Sequence, residues 1–121
     1  MKILAVDDER ISLMFLEDRF QKYGIDVRTA MDGFSALVVL EDYQPDLILL
    51  DNVMPKMSGR ELAEKLKADE RYKDIPIIMF SAVADADERE AAFEAGVADY
   101  ILKPANFSEI LQRISKVMEP K

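Results

Sequence analysis

An α/β fold with a five-stranded, doubly wound parallel sheet follows from two patterns in the chain. Apolar runs of about five residues alternate with longer stretches of helical period, which points to successive βα units. The two runs nearest the middle, Leu47-Ile48-Leu49-Leu50 and Ile77-Ile78-Met79-Phe80, are apolar without alternation, as suits strands covered by helices on both faces.

The elements follow in order. A first strand over Lys2–Val6 ends on the acidic pair Asp7 and Asp8. The helical period over Arg10–Lys22 places Leu13, Leu16, Phe20 and Tyr23 within one arc of roughly 80°, which should face the sheet, and leaves Ile11 and Phe15 almost opposite. Residues 25–29 alternate apolar and polar, as a strand with one wetter face at the sheet edge does. A second helical stretch covers residues 33–43. The strand over residues 46–50 runs into Asp51, and the next helical stretch covers residues 59–68. The strand over residues 75–80 stops on Ser81, with a helix expected over 86–95. Asp99–Leu102 runs into Lys103, and the helix over 107–118 is the clearest, because Phe107, Ile110, Leu111, Ile114, Val117 and Met118 keep the i, i+3, i+4 rule throughout. Right-handed crossovers then favour the order 2-1-3-4-5, with strands 1 and 3 adjacent at the switch point, so that Asp7, Asp8 and Asp51 meet there.

With 121 residues the expectation is a single domain spanning 1–121, and no internal repeat, low-complexity tract or linker interrupts it. Half of the chain is apolar and a third charged, which excludes a disordered or membrane-like composition. A net charge of −8 disfavours direct contact with a nucleic-acid backbone. The absence of cysteine excludes disulfides and thiolate metal sites. The first apolar run is too short for a signal peptide and no run is long enough for a membrane span. The expected location is the cytoplasm.

If the runs are parallel strands, their carboxyl ends line the rim where open α/β sheets bind ligands. That rim collects three carboxylates, a hydroxyl and an amine. Three converging carboxylates repel one another unless a cation neutralises them, and Mg²⁺ is the simplest answer, since it takes one or two carboxylates and shares its other positions with water and phosphate oxygens. Lys103 and Ser81 would complete a clamp on a phosphoryl group, and one carboxylate can itself be the nucleophile, giving an aspartyl phosphate. Taken singly each feature has a plainer reading: the Asp-Asp pair as a helix N-cap, Ser81 as the cap of the fourth helix, Lys103 as a surface charge.

Taken together, Asp7-Asp8, the segment Leu50-Asp51-Asn52-Val53-Met54-Pro55, Ser81-Ala82 and Lys103-Pro104 resemble the receiver domains of bacterial two-component response regulators, over the whole chain. The resemblance implies a flavodoxin-like receiver fold and makes Asp51 the phosphoacceptor. It makes Asp8, Asp51 and the backbone carbonyl of Val53 direct Mg²⁺ ligands, with Asp7 holding the metal mainly through water. Ser81 and Lys103 would grip the phosphoryl oxygens, Tyr100 would be the aromatic switch residue, and Lys103-Pro104 would be a cis peptide. The partners implied are a histidine kinase or histidine phosphotransfer protein as donor, and a downstream protein or attached effector reached through the face of helix 4, strand 5 and helix 5. The chain has no histidine, so it can only be the aspartate side of such a relay. A receiver promotes its own phosphorylation and hydrolysis but turns over no free substrate, and is not an enzyme in the usual sense.

Two rivals remain, one on a related sheet and one of the same topology. Dehalogenase-like phosphatases also use a nucleophilic aspartate and Mg²⁺, but with an Asp-x-Asp pattern, whereas Glu9 stands two beyond Asp7 and Val53 two beyond Asp51. A flavin-binding module needs a phosphate cradle after strand 1 that Asp7-Asp8-Glu9 would repel. Ile11 and Phe15, one turn apart on the outer face of the first helix, suit a docking patch for a helical phosphodonor.

Overall fold

The computed structural model describes residues 1–83 and 85–120. Strands and helices alternate as β1 (Lys2–Val6), α1 (Arg10–Lys22), β2 (Asp26–Ala30), α2 (Gly33–Asp42), β3 (Leu47–Leu50), α3 (Gly59–Lys67), β4 (Ile77–Ser81), α4 (Ala86–Glu94), β5 (Asp99–Leu102) and α5 (Phe107–Val117). All four pairings are parallel and the sheet order is β2-β1-β3-β4-β5. Ile3 lies opposite Val27 on one side and Leu47 on the other, which fixes the two strands that carry the acidic rim side by side.

Alternation along each strand divides the core into two layers. Ile3, Ala5, Leu47, Leu49, Ile78, Phe80 and Ile101 point to the face covered by Leu13, Leu16 and Phe20 of α1 and Ile110 and Ile114 of α5. Their strand neighbours Leu4, Val6, Ile48, Leu50, Ile77, Met79 and Tyr100 point to the face covered by α2, α3 and α4. β3 and β4 are buried along their whole length, as their unbroken apolar runs require, while β2 alternates at the edge. Each fully buried Leu or Ile contributes about 1.5–3 kcal/mol relative to exposure. This double layer anchors the strand ends that form the rim.

Local chemistry sets the boundaries. Asp32 caps α2 by accepting from the Ser35 N–H, Asn106 caps α5 through the Glu109 N–H, and Ser58 with Glu61 forms a reciprocal capping box on α3. The second strand begins one residue later than its alternation suggests, because the Ile25 N–H bonds back to the Phe20 carbonyl at 3.0 Å and closes the turn after α1. The fourth begins at Ile77, not residue 75, because Ile75 closes a turn on the Tyr72 carbonyl and Pro76 has no N–H to give a ladder. Tyr23 departs from its expected place in the buried stripe. α1 ends at Lys22, Tyr23 is its C-cap and 64% exposed, and its ring rests 5.5 Å from that of Phe107.

Candidate functional site

At the carboxyl ends of the strands, Asp7 and Asp51 leave β1 and β3 side by side, with the Asp51 N–H bonded to the Val6 carbonyl at 2.9 Å. Both are buried, Asp8 is exposed, and oxygens of all three carboxylates lie within 4.8 Å of one another. The Lys103 ammonium enters from the end of β5, 2.6 Å from Asp7 Oδ2, 3.8 Å from Asp51 Oδ2 and 4.0 Å from Glu9 Oε1. The Lys103 N–H bonds the Ser81 carbonyl at 2.9 Å, and the Lys103-Pro104 peptide is cis.

The acidic pair is not a helix cap. Glu9 occupies the N-cap of α1 without a side-chain cap bond, and its N–H donates to Asp7 Oδ1 at 2.9 Å. One Asp7 oxygen is thus held by backbone and the other by Lys103. Asp51 has less: among the described residues its Oδ1 accepts only a long bond, 3.4 Å, from the Val53 N–H. Burial, against the opposing pull of Lys103 and with Asp7 and Asp8 beside it, raises its carboxyl to about 6. An under-compensated carboxylate among hard oxygen donors, with no nitrogen or sulfur ligand beside it, fits a hard divalent cation such as Mg²⁺.

Ser81 is fully buried at the last position of β4, where its Oγ accepts the Val83 N–H at 3.3 Å and keeps its own proton to donate elsewhere. Tyr100 is set back from the cleft. Its ring is buried in the α2–α3–α4 layer and its hydroxyl donates to the Val83 carbonyl at 3.0 Å, so it is tied to the loop after Ser81. Ile11 is 83% exposed and Phe15 lies partly under other groups, its ring 6.4 Å from Phe107 and 5.2 Å from the Arg19 guanidinium. The sequence therefore brings Asp7, Asp8, Asp51 and Lys103 into one cluster and leaves Tyr100, Ile11 and Phe15 outside it.

Two residues at this site have roles that the sequence does not announce. Asn52 is buried, with its side chain bonded to both the Arg60 N–H and Glu88. Gly59 starts α3 so close to the phosphoacceptor candidate that a Cβ there would stand 2.3 Å from the Asp51 carbonyl oxygen. The Ser58-x-x-Glu61 spacing signals the helix start, but nothing local signals what lies beneath it.

The response regulator receiver domain family matches residues 3–115. The chain is 32% identical over 117 residues to the DNA-binding dual master transcriptional regulator RpaA of Synechocystis, covering 97% of this chain and 48% of that one. It spans about half the length of the transcriptional regulators it matches. Among solved structures, the chemotaxis protein CheY4 of Vibrio cholerae superposes with a TM-score of 0.92 at 29% identity, over 97% of this chain and 98% of that one. The receiver domain of the sensor histidine kinase PA1611 from Pseudomonas aeruginosa, solved with a magnesium ion in its active-site cleft, superposes at 0.86 with 29% identity, over 95% of this chain and 94% of that one. The phosphatase alternative finds no support in these likenesses. With its strand order, its acidic rim and a family match over nearly its whole length, the chain belongs to the response regulator receiver domains.

Proposed function

We propose that Asp51 is the phosphoacceptor of this receiver and that the chain is the aspartate side of a phosphorelay. The observation that carries this reading is the pairing of a buried, under-compensated Asp51 with the Lys103 ammonium 3.8 Å away. In the reaction an Asp51 carboxylate oxygen attacks the phosphorus of a phosphohistidine on a partner protein. The new P–O bond forms as the P–N bond breaks, and the departing imidazole nitrogen takes the electron pair. Asp7, Asp8, Asp51 and the Val53 carbonyl would hold Mg²⁺, which when bound supplies charge neutralisation for the phosphoryl oxygens. Lys103 leaves Asp7 to meet one of those oxygens and Ser81 donates its remaining proton to another. The autocatalytic loss of the phosphoryl group belongs to the same site, so the chain turns over itself and no free substrate.

The donor in this reading is a histidine kinase or a histidine phosphotransfer protein docking beside Ile11 and Phe15. The output passes through Tyr100 and the α4–β5–α5 face to a protein target or effector domain, in the cytoplasm. A net charge of −8 supports protein contact over direct nucleic-acid contact for residues 1–121. Incubation with Mg²⁺ and acetyl phosphate, followed by intact mass measurement, should show one added phosphoryl group that Asp51→Asn abolishes. Unchanged labelling of that variant refutes the assignment.

A further inference from the structure

Asn52 stands between two groups assigned to the metal, the Asp51 carboxylate and the Val53 carbonyl, and it is held at three points. Its own carbonyl accepts the Gly59 N–H at 2.9 Å, its Oδ1 accepts the Arg60 N–H at 3.0 Å, and its Nδ2 donates to Glu88 Oε2 at 3.1 Å. Gly59 and Arg60 open α3, where N–H groups have no partner within the helix. Glu88 lies in the first turn of α4. That helix is lightly seated: of its nine residues only Ala92 is buried. Near its start it is tied by Glu88 to Asn52 and by the Arg89 guanidinium, 5.7 Å from the centre of the Tyr100 ring.

We infer that Asn52 is a positioning residue for the metal site, and that its bond to Glu88 couples the shape of the 51–53 backbone to the seating of α4. The inference rests on the function proposed above. A buried amide bonded on both sides cannot rotate without leaving a polar group unsatisfied, so the backbone flanking it is fixed with it. In the structure where the Asn52–Glu88 bond is made, the three carboxylates are already gathered within 4.8 Å. A cation that favours this gathered backbone therefore favours the bonded seat of α4, and by linkage α4 seating changes cation affinity by the same factor. The consequence is a route from site to α4 that does not pass through Tyr100.

Glu88 also carries charge, so the test must separate its field from its hydrogen bond. Glu88→Gln removes the charge and keeps an acceptor oxygen at the same reach; Glu88→Ala removes both. Mg²⁺ affinity is measured by titration calorimetry, and amide exchange of residues 86–94 is followed in Mg²⁺ and in EDTA. The expected result is that Glu88→Ala binds Mg²⁺ about tenfold more weakly than Glu88→Gln, the low end of the loss usual when outer-shell support of a metal site is removed. The first turn of α4 should exchange several-fold more slowly with Mg²⁺ in the parent and in Glu88→Gln, and equally with and without Mg²⁺ in Glu88→Ala. Equal affinity of the two variants, or exchange in the parent that ignores bound Mg²⁺, overturns the coupling alone. A parent that does not bind Mg²⁺ overturns the coupling and the reading of the site together.

Discussion

The Lys103 ammonium bonds Asp7, at 2.6 Å, and stands off from Asp51, at 3.8 Å. It thus occupies the charge-compensating role a divalent cation would take, on the carboxylate beside the proposed phosphoacceptor. Lys103→Met should accordingly separate two functions. With the competing cation gone, Mg²⁺ should bind several-fold more tightly, while labelling by acetyl phosphate at saturating Mg²⁺ should slow tenfold or more for want of a clamp on the phosphoryl oxygens. Affinity and labelling rate moving in the same direction would contradict this division.

Mg²⁺ should raise the melting temperature, because it relieves repulsion among Asp7, Asp8 and Asp51. At a hundredfold excess over its dissociation constant, binding to the folded state contributes about 2.7 kcal/mol, or roughly 10 °C for a domain of this size. Melts in Mg²⁺ and in EDTA measure it. Asp8→Ala, at an exposed position where substitution disturbs little packing, should remove most of the difference.

The phosphorylated form should be long-lived. Val53 and Val83 stand two residues after Asp51 and Ser81, and Val83 has both its N–H and its carbonyl engaged, by Ser81 and Tyr100. Both side chains are apolar. In-line attack on aspartyl phosphate needs a water oriented by a polar group, which two valines cannot supply. Loss of label from purified protein should be slow, and several-fold faster in Val53→Asn and Val83→Glu. No acceleration in either variant sinks the idea.

Ile11→Ala should slow phosphotransfer from a histidine phosphotransfer protein while leaving labelling by acetyl phosphate unchanged. The residue is 83% exposed, so its loss costs the fold little. Phe15→Ala is the less clean probe, since it also removes the contacts with Phe107 and Arg19. Equal rates with the protein donor would place docking elsewhere.

Tyr43 should give the chain a distinct alkaline transition. Burial raises its hydroxyl to about 12, helped by its 3.1 Å bond to Asp26. Because the folded value exceeds the unfolded one near 10, the protonated form favours folding. That contribution is complete below pH 10 and is lost as pH rises toward 12. Absorbance at 295 nm should show a late-titrating tyrosine that Tyr43→Phe removes and Asp26→Asn shifts downward.

The parts of this fold legible in the sequence are those written in periodicity. The unbroken runs of β3 and β4, the alternation of β2 and the stripe of α5 each state a burial pattern that the sheet then satisfies. Tyr23 was misplaced because an angular argument continues past a helix end that only capping geometry reveals. The cluster of Asp7, Asp8, Asp51 and Lys103 was legible because strand ends in a parallel sheet share one rim. Asn52 was not, because its role lies in bonds to residues 8 and 36 positions away, and no local pattern encodes those.

The close approach at Gly59 carries a lesson for anyone seeking to stabilise the chain. Glycine at an interior helical position is ordinarily about 1 kcal/mol worse than alanine, and the start of α3 looks like a simple place to improve. Here the missing methyl is the clearance that lets the helix rest on the main chain of Asp51, since a Cβ would come within 2.3 Å of that residue's carbonyl oxygen. Gly59→Ala would push against the backbone that carries the proposed phosphoacceptor. At this position a single added carbon costs the fold and the site together, so a substitution that helps most helices fails here on both counts.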